Sequence, residues 1–209
     1  MRKATTIYFV EHASTPGDGT RDERLNGWGK RGITAEGRSL LMGTADYLKS
    51  KNIGETYSSD LPRGIQTAES LRHQLGVRHS NTQRRGLRPM DVGLLAGEKK
   101  ADVEPALDDL KSRPWSNAPG GESYGKFLGR FGQELHRTIH EALGEEYHCV
   151  YVTHSHNLGA LSHLLSGGRK PARLESPVGA GGVIELQVSD GGGKVSMRKA
   201  YEPDGKVGS

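Results

Sequence analysis

The sequence predicts an α/β fold with a largely parallel central sheet, and three observations lead to it. Short runs of β-branched and aromatic residues alternate with longer segments that carry apolar residues at helical spacing. The chain has 209 residues, which suits one domain with a substantial core, and its 30 glycines indicate long polar loops. Alternation of strands and helices favours helices layered on a parallel sheet. We therefore expect a single domain over residues 1–209.

The chain opens with a strand, a loop and a helix. The run TTIYFV is β-branched and aromatic, which predicts a strand from residue 5 to residue 10. A loop rich in Gly, Asp and Arg follows over 14–32, and such loops commonly carry function. Thr34 then stands at the position of a helix cap, and the apolar residues beyond it repeat at helical spacing. The pattern predicts a helix over 35–50.

The next regular segments are a short strand and two helices. ETYSS predicts a second strand over 55–59. Pro62 suits the first turn of a helix, and apolar residues at helical spacing extend that helix over 62–75. After an irregular region with Gly and Pro, the pattern predicts a further helix over 101–112.

The last third of the chain contains the most apolar segments. A helix is predicted over 122–143 because one stripe along it is apolar. The run CVYVTH predicts a buried strand over 149–154, and helical spacing resumes over 157–166. The segment GVIELQVSDGGGKVSMRKAY is typical of a hairpin that turns at DGGG. The stripe of the long helix consists of Tyr124, Phe127, Leu128, Phe131, Leu135, Ile139 and Leu143.

Composition narrows the classes of ligand and partner. A formal net charge of +4 and a pI near 9.2 favour acidic ligands such as phosphate esters. Lys and Arg form no tract, so no nucleic-acid partner is indicated. The first apolar run is too short for a signal peptide or a membrane span, and we expect no membrane partner. The single Cys149 excludes an internal disulfide, which favours a cytoplasmic location. A monomer and a homodimer both remain open.

Two histidines and one arginine follow the predicted strands. His12 and His154 each stand where an apolar strand ends, and the carboxyl ends of parallel strands gather at one edge of a sheet. Ser58 and Ser59 end another strand, and Arg63 lies in the first turn of the next helix. An arginine beside a helix amino terminus presents a guanidinium fork and backbone donors to an anion. The three segments together predict a phosphate site.

Six segments in order resemble the histidine phosphatase (phosphoglycerate-mutase-like) superfamily, over roughly residues 5–188. Glu11-His12-Ala13, with Thr15, aligns with the family's Arg-His-Gly motif and the Thr that follows it. The segment YSSDLPRGIQTAESL is close to the family's Ser-Ser-x-Leu-x-Arg-x-x-x-Thr-Ala signature. The others are RLNGWGKRGITAEGR, LRPMDVGLLAGE, PGGESYGKFLGRF and VYVTHSHNLGAL. The resemblance implies a three-layer α/β/α fold.

The resemblance also implies a reaction and a set of residues. His12 matches the family's nucleophile, which becomes phosphorylated, and His154 and Arg63 match groups that donate to the phosphoryl oxygens. Ser59 and Thr15 complete the expected contacts with a small phosphorylated substrate. The chemistry needs no cofactor, and we expect no metal. Histidines and glutamates of the long helix have metal-ligand spacing, which a solvated helix face explains better: Glu134, His136, His140 and Glu141.

Three positions depart from the family pattern. Glu11 stands where the family has an arginine, so a carboxylate replaces a phosphate-binding fork. Pro89 and Ser155 stand where two branches of the family place the acid that protonates the leaving group. Asp91 is the first substitute, and His156 is another; Glu11 itself could serve if burial raised its pKa. Ser155 and His156 are also expected to contact substrate.

Each of these assignments has a structural alternative. Glu11 could hold a loop arginine in a salt bridge, Asp91 could serve a turn, and His156 could simply cap a helix. Trp28 and Trp115 could touch substrate or anchor their loops. Three functions follow: a phosphatase acting through His12, a catalytically impaired relative that binds a ligand or protein, and a hydrolase retuned by Glu11. The loop arginines open to Glu11 are Arg21, Arg24 and Arg88.

Overall fold

The computed structural model describes residues 4–143, 145–170, 173–189 and 194–203. Strands and helices alternate through most of these ranges, as the sequence predicts. In chain order the elements are β1 (Thr5–Glu11), α1 (Ala35–Leu48), β2 (Ile53–Ser58), α2 (Pro62–Leu75), β3 (Thr82–Gln83), α3 (Lys100–Ser112), α4 (Tyr124–Ala142), β4 (His148–Thr153), α5 (Ser155–Leu165), β5 (Val183–Val188) and β6 (Val195–Tyr201). Two short 3₁₀ helices, Arg85–Leu87 and Gly93–Leu95, lie between β3 and α3.

The strands form one sheet in the order β3-β2-β4-β1-β5-β6. β1 and β2 both run parallel to β4, and β3 runs parallel to β2. β5 is antiparallel to β1 and to β6. The predicted class, α/β with a mostly parallel central sheet, is therefore confirmed.

Alternate residues of β1 face two different cores. Ile7 and Phe9 belong to the core that contains the apolar stripe of α4. Tyr8 and Val10 belong to the core that α1 and α2 cover. Successive side chains of a strand point to opposite faces, so the sheet is buried between two layers of helices. This is the three-layer α/β/α arrangement.

Side-chain caps fix the starts of two helices. The Thr34 hydroxyl accepts a hydrogen bond from the Gly37 N–H at 2.9 Å, as the sequence predicts for the start of α1. Ser123 accepts from the Lys126 N–H at the start of α4. Pro62 is the first residue of α2. An N–H at this position has no acceptor within the helix, so proline costs no hydrogen bond there. The predicted positions of α1, α2 and α4 are correct to within two residues.

Some boundaries differ from the prediction. β3 has only two residues, too few to give a sequence pattern, and was not predicted. β5 and β6 pair antiparallel as the hairpin prediction requires, while the turn at DGGG lies outside the described residues. α5 begins at Ser155, two residues before the predicted start. Within the described part of the chain, no helix is long and apolar enough to span a membrane.

Candidate active site

The carboxyl ends of three parallel strands meet at one edge of the sheet. Glu11, the last residue of β1, lies opposite Thr153, the last residue of β4. Ser58 ends β2 on the other side of β4. The residues that follow β1 and β4 are His12 and His154, and their ring centroids are 5.0 Å apart. The prediction that the two histidines meet at a sheet edge is confirmed.

The hydrogen bonds of His12 define its tautomer. Its Nε2 accepts from the Arg63 Nε–H at 3.2 Å, and a guanidinium can only donate. Nδ1 must then carry the proton, which it donates to the Ala13 carbonyl at 2.9 Å. Burial, helped by the charge of Arg63, lowers the pKa of His12 to about 3. At neutral pH His12 thus holds an unprotonated Nε2 at the pocket.

Arg63 is a buried cation in direct hydrogen-bond contact with His12. Its side chain is 1% exposed, and two loop carbonyls hold it: Gly29 accepts from Nη1 at 3.1 Å and Gly27 accepts from Nη2 at 2.7 Å. Burial lowers the pKa of Arg63 to about 10, so the guanidinium stays charged at neutral pH. The glycine carbonyls were not predicted, because no side-chain pattern marks a backbone acceptor.

His154 is positioned by Ser59. The Ser59 hydroxyl is 2.7 Å from His154 Nε2, and both residues are buried. His154 Nδ1 has no hydrogen-bond partner, which leaves it for a ligand. Burial, then the Arg63 charge, holds the pKa of His154 well below its usual value. A Cβ at Gly64 would lie 2.4 Å from the Ser59 hydroxyl, so glycine is needed there.

The amino terminus of α5 faces the same pocket. Ser155 and His156 lie in its first turn, and both line the pocket. The Nδ1 atom of His156 is buried without a hydrogen-bond partner. Burial lowers the pKa of His156 to about 4, so its ring is neutral at pH 7. A helix amino terminus with neutral imidazoles beside it can receive an anion through N–H donors.

Glu11 lies beside His12 and is not paired with a loop arginine of the described residues. The Ser155 hydroxyl donates to Glu11 Oε1 at 3.1 Å, and Oε1 is 3.7 Å from His12 Nε2. Glu11 is 5% exposed, and its Oε2 has no hydrogen-bond partner of ordinary geometry. Of the loop arginines, Arg88 pairs with Asp60 and Arg24 donates to the Gly97 carbonyl. The salt-bridge alternative for Glu11 is therefore wrong among the described residues.

The environment of Glu11 favours its neutral form. Burial raises the pKa of Glu11 from 4.5 to about 8, against the opposing effects of the Ser155 and Ser176 hydroxyls and the Arg63 charge. A neutral carboxyl carries one O–H donor. Since Oε1 already accepts from Ser155, the O–H falls on Oε2, the oxygen without a partner.

These groups line a pocket of about 600 Å³. His12, His154, Arg63, Glu11, Ser155 and His156, all predicted from the sequence, contribute to its surface. The pocket wall adds residues that the sequence analysis did not assign to the site, from the loop after β1, the start of α3 and the segment before β5. They include Asp18, Glu23, Arg24, Lys100, Glu175 and Ser176.

Three predicted site residues lie elsewhere. Asp91 is not among the described residues that line the pocket; its carboxylate accepts from the Gly93 N–H at 3.1 Å, which corrects its assignment as proton donor to that of a turn residue. Thr15 is also off the pocket surface and donates to Asp18 Oδ1, so it holds the loop instead of substrate. Ser59 reaches the site only through His154.

The remaining candidate site residues either have structural contacts or lie away from the pocket. The Trp28 indole N–H donates to the Pro89 carbonyl at 2.9 Å, and the Arg88 guanidinium lies over its ring, so Trp28 anchors its loop. Trp115 is 84% exposed and does not line the pocket. Glu134 is buried and paired with Arg84, contrary to the expected solvated face. The described ranges contain no cluster of three His, Cys, Asp or Glu side chains placed to hold a metal ion.

Sequence comparison identifies the family. The profile of the histidine phosphatase superfamily (branch 1) matches residues 7–200. The chain belongs to the histidine phosphatase superfamily. The resemblance carried by the six sequence segments is thus confirmed at the level of the family.

Relatives in the superfamily include mutases and phosphatases. The probable phosphoglycerate mutase GpmB of Proteus mirabilis (strain HI4320) is 28% identical over 166 residues, covering 77% of this chain and 74% of the relative. The crystal structure of phosphoglycerate mutase from Bacillus anthracis str. Sterne has a TM-score of 0.79 at 18% identity and covers 97% of this chain and 95% of its own. The mycobacterial glucosyl-3-phosphoglycerate phosphatase has a TM-score of 0.76 at 19% identity, with 96% and 100% covered. These structures show the shared fold.

Proposed function

We propose that this protein is a phosphatase that hydrolyses a small phosphate monoester through a phosphohistidine at His12. The observation that carries the proposal is the state of His12. Its Nε2 is unprotonated, and the ring, which lines the pocket, is held by Nδ1 at the Ala13 carbonyl and by Nε2 at Arg63. A neutral imidazole attacks phosphorus near pH 7, and the phosphoramidate that forms is labile.

In the first half-reaction, His12 Nε2 forms a bond to phosphorus while the bond from phosphorus to the ester oxygen breaks. Charge spreads over the phosphoryl oxygens, and Arg63 and His154 Nδ1–H donate to them. The departing oxygen takes the proton of the Glu11 carboxyl and leaves as an alcohol. Glu11 suits this step because burial raises its pKa to about 8, so that it holds a proton at neutral pH.

In the second half-reaction, the Glu11 carboxylate takes a proton from water as the water oxygen attacks phosphorus. The bond from phosphorus to His12 Nε2 breaks and inorganic phosphate leaves. His12 and Glu11 return to their starting forms, so one ester and one water give one alcohol and one phosphate. Glu11 lies 3.7 Å from His12 Nε2, close enough to serve a phosphoryl group attached to that atom.

A second candidate function is that of a family member that binds a phosphorylated ligand without hydrolysing it. The observation in its favour is Glu11 itself, a carboxyl group at the position that the family resemblance gives to an arginine. If ionised, it would repel a phosphate dianion. A phosphoglycerate mutase is less well supported, because retaining the phosphohistidine calls for a fuller set of arginines than Arg63 and Arg24, the two that line the pocket among the described residues.

The test is turnover of an aryl phosphate, p-nitrophenyl phosphate, by the wild type and by His12→Ala, with His136→Ala as the matched control. His136 is an exposed histidine of α4 that does not line the pocket. We expect activity in the wild type and the control, and a loss of at least about 10³-fold in His12→Ala.

Glu11→Arg separates the two functions. A silent wild type that gains activity in Glu11→Arg would overturn the phosphatase and favour the binding protein. An active wild type that loses activity in Glu11→Arg would support Glu11 as a catalytic group. Equal activity of the wild type and His12→Ala would rule out the phosphohistidine route.

A further inference from the structure

Carboxylates outnumber cations around the pocket. Among the described residues, five carboxyl side chains line it, and four of them remain ionised at pH 7 because Glu11 is neutral there, against three side chains that carry a fixed positive charge. The pocket histidines add no charge, because burial holds their pKa values well below 7. A phosphate dianion alone would add two negative charges to this wall. The carboxyl groups are Glu11, Asp18, Glu23, Glu36 and Glu175, and the cations are Arg24, Arg63 and Lys100.

Two of the carboxylates have no side-chain partner among the described residues. Asp18 accepts from Thr15, and Glu23 pairs with Lys100 at 2.9 Å. Glu36, in the first turn of α1, and Glu175, in the segment before β5, make no side-chain hydrogen bond or ion pair with the described residues. Both are exposed at the pocket. Their charges are therefore available to a ligand.

Buried polar atoms at the floor of the pocket indicate independently that a ligand binds there. Glu11 is 5% exposed and its Oε2 lacks a hydrogen-bond partner, although Oε1 is engaged by Ser155. The Nδ1 atoms of His154 and His156 are also buried and unpartnered. Buried polar groups are nearly always hydrogen-bonded, so these atoms indicate that a ligand supplies the missing hydrogen bonds. A phosphoryl group bound at His12 would place oxygen atoms beside Glu11, which lies 3.7 Å from His12 Nε2, and beside His154, whose ring centroid lies 5.0 Å from that of His12.

We propose that the substrate is a phosphate monoester that also carries a cationic amino or quaternary ammonium group, which Glu36 and Glu175 bind at the wall of the pocket. This inference rests on the proposed phosphatase function and specifies its substrate class. The phosphoryl end lies at His12 and Arg63, and the cationic end faces the two unpaired carboxylates. A ligand with its own positive charge also offsets the excess of carboxylates along the wall.

The experiment compares three small esters that differ in the charge of the alcohol part: phosphoethanolamine, ethyl phosphate and phosphoglycolate. We expect kcat/KM to fall in that order. Phosphoethanolamine should exceed ethyl phosphate by roughly fivefold to tenfold, as expected for two solvent-exposed ion pairs. The preference should shrink at 1 M salt, because exposed charges are screened. Equal kcat/KM for phosphoethanolamine and ethyl phosphate would overturn the proposal.

Matched variants test the two carboxylates. The double variant Glu36→Gln with Glu175→Gln should lose the preference for phosphoethanolamine, and its kcat/KM for ethyl phosphate should not fall, because two charges that repel the phosphate dianion are removed. Glu104→Gln removes an exposed carboxylate of α3 that does not line the pocket, and should change neither value. A preference that survives the double variant would show that other groups bind the cation.

Binding to His12→Ala separates this inference from the proposed function. Calorimetric titration of that variant with phosphoethanolamine and with ethyl phosphate measures the preference without turnover. Tighter binding of phosphoethanolamine by His12→Ala, together with a wild type that hydrolyses none of the esters, would support the ligand class and overturn the phosphatase. Hydrolysis by the wild type, without any preference for phosphoethanolamine in its kcat/KM or in the Kd of His12→Ala, would support the phosphatase and overturn the substrate class.

Discussion

Glu11 and Glu134 are equally buried, each 5% exposed, but their surroundings differ completely. Glu134 receives hydrogen bonds from the guanidinium groups of Arg84 and Arg137. Glu11 receives one from the Ser155 hydroxyl and has an oxygen without a partner. A buried carboxylate that is fully paired serves the fold, whereas a buried carboxyl group left incomplete beside a reactive atom indicates a functional site. The comparison predicts that mutation of Glu11 affects activity and that mutation of Glu134 affects stability.

The largest expected effect is on activity at Glu11. Glu11→Ala should lower kcat/KM for an alkyl phosphate by roughly 10²–10⁴-fold, because the leaving oxygen loses its proton donor. Glu11→Gln keeps a hydrogen-bond donor but cannot give up a proton. It should therefore fail on ethyl phosphate yet stay within about tenfold of wild type on p-nitrophenyl phosphate, whose leaving group needs little protonation. Equal losses on both esters would contradict the assignment of Glu11 as the acid.

The next effect is on stability at Glu134. Glu134→Ala leaves Arg84 buried with only Glu141 as an ion-pair partner. We expect a loss of about 3 kcal/mol in the free energy of unfolding, at the lower end for a broken buried pair because Glu141 remains. Urea denaturation measures this loss, with Glu104→Ala as the exposed control. A loss below 1 kcal/mol would show that burial alone does not make the pair important.

The pH dependence of stability should reveal the protonation of Glu11. The pKa of Glu11 is raised from 4.5 to about 8, so between these values the folded protein holds a proton that the unfolded chain has released. The Glu11 contribution to stability therefore falls as pH rises through this range. Glu11→Gln has no such proton, so its stability relative to wild type should increase from pH 5 to pH 8, by up to about 1.4 kcal/mol per pH unit. A constant difference would mean that Glu11 titrates normally.

The smallest effect is expected at Ser59. Ser59→Ala removes the hydrogen bond to His154 Nε2, so the ring loses its orientation but keeps its place. We expect kcat to fall roughly fivefold to tenfold, as for the loss of one neutral hydrogen bond, with KM nearly unchanged. Ser59→Thr retains the hydroxyl and should restore part of kcat if the methyl group is accommodated. An unchanged kcat in Ser59→Ala would show that His154 is held by its surroundings alone.

Sequence patterns predicted the fold and the centre of the site because both depend on strand order and strand ends. His12, Arg63 and His154 come together since the carboxyl ends of parallel strands must share an edge. The directions of side chains in irregular segments depend on local turns, which have no sequence period. Asp91 turns toward Gly93 and Thr15 toward Asp18 for this reason. Arg88, one of the arginines open to Glu11, pairs instead with Asp60, and no local pattern contains this long-range pairing.

The hydrogen bonds of Arg63 affect how strongly the site binds an anion. Three of its donors are engaged before any ligand arrives, at His12, Gly27 and Gly29. A free arginine side chain carries about 2 kcal/mol of rotamer entropy, which here is lost during folding and not on encounter with substrate. The loop that contains Gly27 and Gly29 is thereby fastened to α2 through the same guanidinium. Any substitution that loosens this loop should therefore weaken binding of the anion, even where the substituted residue makes no contact with it.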